Sequence, residues 1–200
     1  MKPVERGEVL GLAAYEQIRD SFRARVIAEK KARRVFLGDR ASVLFENHDT
    51  VLMQIQEMLR TERITREAAI LHEIETYNEL IAKKGELSAT ILVEIPEKEE
   101  RDRFLVEAAG LEASFVVTVD GIACKGKVDP SRVDGARTTA VHYVKFDLVP
   151  AAEQRLRDVL DKRTRPSELT IELESTHPKY HHATKLPPPL VASLAEDLLE

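Results

Sequence analysis

Cysteine occurs once in the 200 residues, as Cys124, so the chain can form no internal disulfide and has no second thiol for a thiolate metal cage or a CxxC redox pair. Its stability has to come from packing. Long apolar runs are missing too: Ala89 to Val93 and Phe115 to Val119 fall far short of the roughly 20 residues that a membrane-spanning helix needs. The segment Met1 to Gly11 carries one lysine and one arginine but no apolar core followed by a small-residue cleavage site. No secretory signal is read there, and a cytoplasmic location is expected. An excess of positive charge is also lacking. A formal net charge of −5 argues against a general nucleic-acid binder, because phosphate binding leaves a strongly basic footprint. The phosphate loop GxxxxGK followed by Ser or Thr, the dinucleotide fingerprint GxGxxG, the zinc motif HExxH, the elbow GxSxG and the EF-hand pattern are all absent from the sequence. So is the paired Glu-x-x-His signature of ferritin-like di-iron bundles.

With 43% hydrophobic and 32% charged residues, the chain has the composition of an ordinary globular domain and is not disordered as a whole. Tyr15, Ile18, Phe22 and Val26 recur at helical spacing and predict one amphipathic helix from residue 12 to about 33. Val35 to Leu37 and Ser42 to Glu46 flank Gly38-Asp39-Arg40 and predict a hairpin. Asn47-His48-Asp49-Thr50 can cap a helix whose buried stripe is Val51, Leu52, Ile55, Met58 and Leu59. Ile70, Ile74, Tyr77 and Ile81 predict a second helix over residues 66 to 82. Leu87, Ala89, Ile91, Val93 and Ile95 alternate with more polar positions, as in a half-buried strand ended by Pro96. A charged helix follows from Glu97 to Ala109. Asp120-Gly121 joins a hairpin of residues 113–119 and 122–127. Thr138 to Leu148 forms a further strand, a helix opens at Pro150, and a last strand contains Leu169, Ile171 and Leu173.

Hairpin signals outnumber crossovers, so the predicted fold is α+β, a mainly antiparallel sheet flanked by helices, with one domain over residues 1–175. Residues 176–200 change composition. His177-Pro178-Lys179-Tyr180-His181-His182, the run Pro187-Pro188-Pro189 and a short apolar helix with Leu190, Leu194 and Leu198 suggest an extended arm ending in a docking helix. Such a short helix must pack on its own body or on a second copy, and a homodimer is the resulting expectation.

Several strings carry a family likeness: LFENHDTVLMQIQEMLR from Leu44 to Arg60, ELSAT from Glu86 to Thr90, EIPEKEERDRF from Glu94 to Phe104, and TAVHYVKF from Thr139 to Phe146. Over most of residues 1–150 the chain resembles a bacterial family defined as domain of unknown function 3501. That resemblance implies no reaction. It implies company with rubrerythrin-like di-iron proteins and iron–sulfur oxidoreductases, and so a role as an accessory or binding protein in redox or peroxide-stress handling.

Three places could hold chemistry. The first is the strand-to-helix junction Glu46-Asn47-His48-Asp49 with Gln54, Gln56 and Glu57 on the helix, where carboxylates and an imidazole at a helix N-terminus could hold a divalent transition metal or an anion. The alternative is a capped helix with solvated polar neighbours. The second is His142 with Tyr143. Even-numbered positions place His142 among apolar side chains, where it is either a satisfied core histidine or, if it meets His48 and Asp49 in space, the completion of a metal site or acid–base pair. A metal-dependent enzyme would follow from that meeting. The third is His177, His181 and His182, whose spacing loses its helical meaning at Pro178. From Arg19 to Arg34, seven basic residues face two acidic ones, so this stretch is either a solvated helix face or a surface for an anionic partner, nucleic acid included. Cys124, beside Ile122 on a hairpin strand, is expected as a small core hydrophobe.

Overall fold

The computed structural model describes residues 1–130 and 135–199. Among them the six helices are α1 (Leu12–Ala32), α2 (His48–Thr61), α3 (Glu67–Asn78), α4 (Lys98–Glu107), α5 (Pro150–Leu160) and α6 (Pro188–Glu196). The strands are β1 (Arg34–Leu37), β2 (Ala41–Phe45), β3 (Glu86–Val93), β4 (Phe115–Val119), β5 (Ile122–Lys127), β6 (Val141–Asp147), β7 (Ile171–His177) and β8 (Tyr180–Lys185). They form one antiparallel sheet in the order β1-β2-β3-β6-β5-β4-β7-β8. The fold is α+β, with helices on the sheet's flanks. No helix among the described residues is long and apolar enough to cross a membrane.

Local chemistry fixes the turns. Asp120 and Gly121 both take positive φ, 47° and 79°, the geometry of a tight hairpin whose twist matches its strands. Asn47 caps α2 by accepting from the Thr50 amide at 3.0 Å, while Thr50 Oγ1 accepts from the Asn47 amide at 2.9 Å. Pro150 and Pro188 occupy first-turn positions of α5 and α6, where a missing N–H costs nothing.

The sheet bends until its first and last strands meet. Tyr180 Oη donates to the Leu37 carbonyl and accepts from the Arg40 amide at 3.1 Å. At the same place Gly38, with φ +67°, lies against the His182 ring so closely that a Cβ would fall 2.7 Å from it. Inside the bend, β-strand side chains such as Val43, Phe45, Ile91, Phe115, Val117, Val144, Phe146 and Leu173 pack with α4, α5 and α6 into the main core. Cys124 is part of it, 1% exposed. Outside the bend, α2 and α3 build a second core from Val51, Ile55, Leu59, Ile70 and Ile74, against which Tyr143 packs. This second layer explains one departure from the sequence pattern. β3 is buried on both faces, Ser88 and Thr90 included, because its polar face lies under helices and not in water. The α1 stripe departs too: Tyr15 and Val26 are buried, but Ile18 stays 43% exposed.

The expected arm is the main correction. His177 ends β7, residues 180–185 form β8, and the two strands pair from Glu172↔Lys185 to His177↔Tyr180. Pro178 and Lys179 lie in the turn between them, so the segment is a hairpin at the sheet's edge. The proline sits where no ladder bond is required of it. α6 then buries Leu190, Val191, Leu194 and Ala195 in the main core of its own chain. Its apolar face therefore no longer calls for a second copy.

A buried ion pair locks this return. Arg33, 1% exposed, donates from Nε to the Phe45 carbonyl at 2.8 Å, from one terminal nitrogen to the Glu46 carbonyl at 3.2 Å and to Asp197 at 2.5 Å, and from the other to Ser193 Oγ at 2.5 Å. Burial pushes the Asp197 carboxyl above its ordinary value, outweighing the opposing charge and hydrogen bonds of Arg33. The pair thus fixes the position of these elements at some cost in stability. Removing one partner strands the other. Asp197→Ala is expected to lower unfolding free energy by about 3 kcal/mol in urea titration, and the double replacement Arg33→Met with Asp197→Leu to recover much of that loss. A single-variant loss below about 1 kcal/mol, the value of an exposed pair, would contradict a sealed ion pair.

Candidate functional site

The junction residues are together in the structure, but each is engaged in holding elements in place. Glu46, 1% exposed, accepts from Thr50 Oγ1 and Thr90 Oγ1, both at 2.5 Å, and from Gln54 Nε2 at 3.4 Å. Lys30 and Lys145 bring favourable charge to it; both are half-buried amines that burial pulls below their ordinary value, Lys145 to about 8. Asn47 caps the helix and donates to Glu29. Asp49 accepts from Arg25, and His48 lies 3.1 Å from Glu8 and 3.6 Å from Asp49. Gln56 grips the Leu10 backbone at both its amide and its carbonyl. Glu57 belongs to the α1–α2 contact, accepting from Tyr15, Arg19 and Arg23. Burial would raise its carboxyl, but these partners reverse the effect and hold it at about 2. The open cleft beside His48, about 630 Å³, is the larger cavity; in its wall Glu8 pairs with His48 and accepts from the Glu5 amide, while Asp49 and Asp197 are held by Arg25 and Arg33 from outside it.

His142 does not reach that junction. Its ladder partner on β3 is Ile91, whereas Tyr143 faces Thr90, and Thr90 holds Glu46. Side chains alternate faces along a strand, so His142 points into the bend while Glu46 and Tyr143 lie on the other side. The metal site built from His48, Asp49 and His142 is therefore not assembled. More generally, no group of three or more His, Cys, Asp or Glu that could hold a metal occurs among the described residues.

His142 meets different residues. It is 5% exposed, its ring centroid lies 6.2 Å from that of Phe115, and Nε2 is 3.3 Å from Thr138 Oγ1. Thr138 Oγ1 is in turn 2.6 Å from Glu112 Oε2. Thr138 itself is fixed by its amide bond to the Leu105 carbonyl at 2.8 Å. Glu112, 5% exposed, sits in the short 3-10 turn between α4 and β4, and its second oxygen, Oε1, is buried with no hydrogen-bond partner among the described residues. Glu112 and His142 line a cavity of about 460 Å³ with Asp129, Thr139 and Tyr143, and with Val128, Ala140 and Val141 on its apolar wall. Burial lowers the His142 imidazole below its ordinary value, against the raising influence of the Glu112 charge and a backbone contact at Thr139. Thr138 Oγ1 donates to Glu112 Oε2 and can accept from the ring N–H of His142.

The remaining histidines are dispersed. His177 Nδ1 accepts from the Lys179 amide at 3.2 Å, which leaves Nε2–H to donate to the Ala109 carbonyl at 3.2 Å. His181 turns outward to Glu174 at 2.7 Å, and His182 lies under Gly38. The basic stretch is similarly occupied: Arg19 and Arg23 pair with Glu57, Arg25 with Asp49, Arg33 with Asp197 and Arg34 with Glu94. A phosphate would have to displace carboxylates to reach these five arginines.

The model of the family described as protein of unknown function (DUF3501) matches residues 3–198. The chain belongs to the DUF3501 family. A crystal structure of a protein of unknown function from Burkholderia pseudomallei superposes with a TM-score of 0.87 at 31% identity, covering 98% of this chain and 100% of that one. No curated protein matches the chain. Family membership thus extends through the β7–β8 hairpin and α6, beyond the strings in residues 1–150 that suggested it.

Within this DUF3501 chain, Glu112 and Thr138 are the site residues that sequence analysis did not pick out. Glu112 stands alone in Gly110-Leu111-Glu112-Ala113, where no periodicity marks it; only a carboxylate placed between apolar residues at a helix-to-strand turn could have drawn attention. The buried imidazole has a pH consequence. Because the folded state holds the His142 ring less basic than the unfolded chain does, the unfolded state takes up the extra proton as pH falls through the ordinary imidazole value of 6.5. Its contribution to stability is complete above that value and is lost below it. Urea unfolding at about pH 7.5 and about pH 5.5 should show a smaller acid loss for His142→Gln than for the parent chain. Equal losses would contradict a buried neutral ring.

Proposed function

We propose that this DUF3501 protein is an accessory binding protein whose working element is the small-molecule cavity lined by Glu112 and His142. The observation that carries this reading is the cavity itself, where Glu112 and His142, two buried polar side chains joined through Thr138, meet a wall of Val128, Ala140 and Val141. Apolar walls with a few convergent polar groups are the ordinary form of a small-ligand site. The family resemblance supports a rubrerythrin-like or iron–sulfur protein as the class of physiological partner, and redox or peroxide handling as the setting. The absence of a three-donor cluster among the described residues gives a metal-dependent hydrolase or oxidoreductase no support from geometry.

A second reading has its own observation. The hydrogen-bonded chain Glu112–Thr138–His142 links an acid to an imidazole through a hydroxyl, which is the arrangement a general acid–base site needs. One experiment addresses both. A fragment library screened by amide NMR is expected to give hits whose shifts cluster on Ala140 to Tyr143 and the Glu112 turn, and to lose them in Glu112→Gln. Hits that map instead to the His48 cleft, or that survive Glu112→Gln unchanged, would overturn the binding reading. Chemical turnover of any hit, lost in both Glu112→Gln and His142→Gln, would favour the acid–base reading.

A further inference from the structure

We propose that Lys145 is a site of acylation, its amine taking a small acyl group from an uncharged thioester in the cavity where β5, β6 and the α3–β3 connection meet. That cavity measures about 350 Å³. Its described lining includes Leu80 and Glu86 around the connection, Lys127 and Val128 where β5 ends, and Lys145 and Asp147 on β6. It adjoins the cavity of Glu112 and His142, with which it shares Val128, Asp129 and Tyr143. Lys145 is partly exposed, and its side chain joins two of the walls: it leaves β6, and its Nζ donates to the carbonyl of Ile81, in the connection, at 2.8 Å.

The amine has fewer acceptors than an ammonium needs. The bond to Ile81 is its one hydrogen bond among the described residues, and no described carboxylate forms an ion pair with it. Arg33, by contrast, is met by two carbonyls, a hydroxyl and a carboxylate. A lysine ammonium carries three donors, a neutral amine two and an N-acyl lysine one. The acyl form therefore matches the single carbonyl, keeps its bond and leaves no charge to be buried. Burial, helped by Lys83 and opposed by Glu86, Glu46 and Glu79, already holds the amine at about 8. About a tenth of it is then neutral at pH 7, against roughly one part in three thousand for a lysine at the ordinary 10.5.

The transfer balances without an oxidant or a reductant. Neutral Nζ attacks the thioester carbonyl carbon, the C–S bond breaks with its electron pair leaving on sulfur, and the proton shed by nitrogen ends on the thiol. The products are an amide and a thiol. Leu80 and Val128 offer the acyl chain hydrocarbon. An acyl phosphate fits less well. The described lining has no arginine, its one other lysine, Lys127, pairs with Asp147, and Lys145 gives up its own charge in the reaction.

The full chain is pulsed at pH 7 with S-acetyl-N-acetylcysteamine, an uncharged thioester, beside Nα-acetyl-lysine amide as internal reference, and acetylation is mapped by peptide mass spectrometry. Lys145 is expected to react about tenfold or more faster than the reference, the gain in neutral fraction being offset in part because a less basic amine is a weaker nucleophile. In concentrated urea the ratio should fall to about one. With acetyl phosphate in place of the thioester it should drop several-fold in the folded chain. Labelling of Lys145 no faster than the reference, or a preference that persists in urea, would overturn the acylation site. A ratio as high with acetyl phosphate as with the thioester would overturn the uncharged donor.

Discussion

The guanidinium of Arg33 is the group on which the arrangement of the molecule depends. It cannot shed its proton and it carries a planar set of donors, so once α1 delivers it to the interior every donor must find an acceptor there. Two acceptors are the carbonyls of Phe45 and Glu46, where β2 gives way to α2. The others, Ser193 and Asp197, come from the opposite end of the sequence. The first helix, the start of the second and the carboxy-terminal turn are therefore fixed to one another by a single side chain. Since burial raises the Asp197 carboxyl despite its partner, this pair specifies position at some cost in stability.

That constraint leads to the shape of the sheet. For the chain to return to Arg33, the β7–β8 hairpin must bring α6 back across the core, and the sheet curls until Tyr180 reaches the β1–β2 turn. Curling creates an inside and an outside with different chemistry. Outside, α2 and α3 cover a polar strand face, and Glu46 is satisfied there by two threonines. Inside, the face is hydrocarbon apart from a few groups that include Ser175, His142 and the Glu112 turn beside it. Strand alternation then separates His142 from Tyr143 and from the whole Glu46–Asp49 junction. Adjacent residues in the sequence end up serving different cores.

Much of the scaffold was legible in the sequence because it depends on local physics. The Asp120-Gly121 turn, the Asn47 cap, the opening proline of α5 and the apolar stripe of α2 each follow from backbone geometry or from the periodicity of one element. The errors share a cause. His177 to His182 was expected as an arm because Pro178 and the proline run obscure a pattern in which Tyr180 alternates with outward-facing polar residues. β3 was expected with one wet face because its serine and threonine look solvent-facing when the covering helices are unknown. The acidic partners of the basic stretch were equally hidden, since Glu57, Asp49 and Asp197 lie far along the chain from the arginines they pair with.

The sequence by itself determined the class of fold, the identity and order of most elements, the lack of any thiol chemistry beyond one buried cysteine, and the family. These are properties of short-range propensity, composition and pattern. Only the tertiary structure decided which polar groups share a site. Whether His142 meets Asp49 or Glu112 depends on strand register and on which face each helix covers, and those are settled by long-range packing. The carboxylate of Glu112 acquired significance only when the folded chain placed the residue in the wall of a cavity and joined one of its oxygens to Thr138.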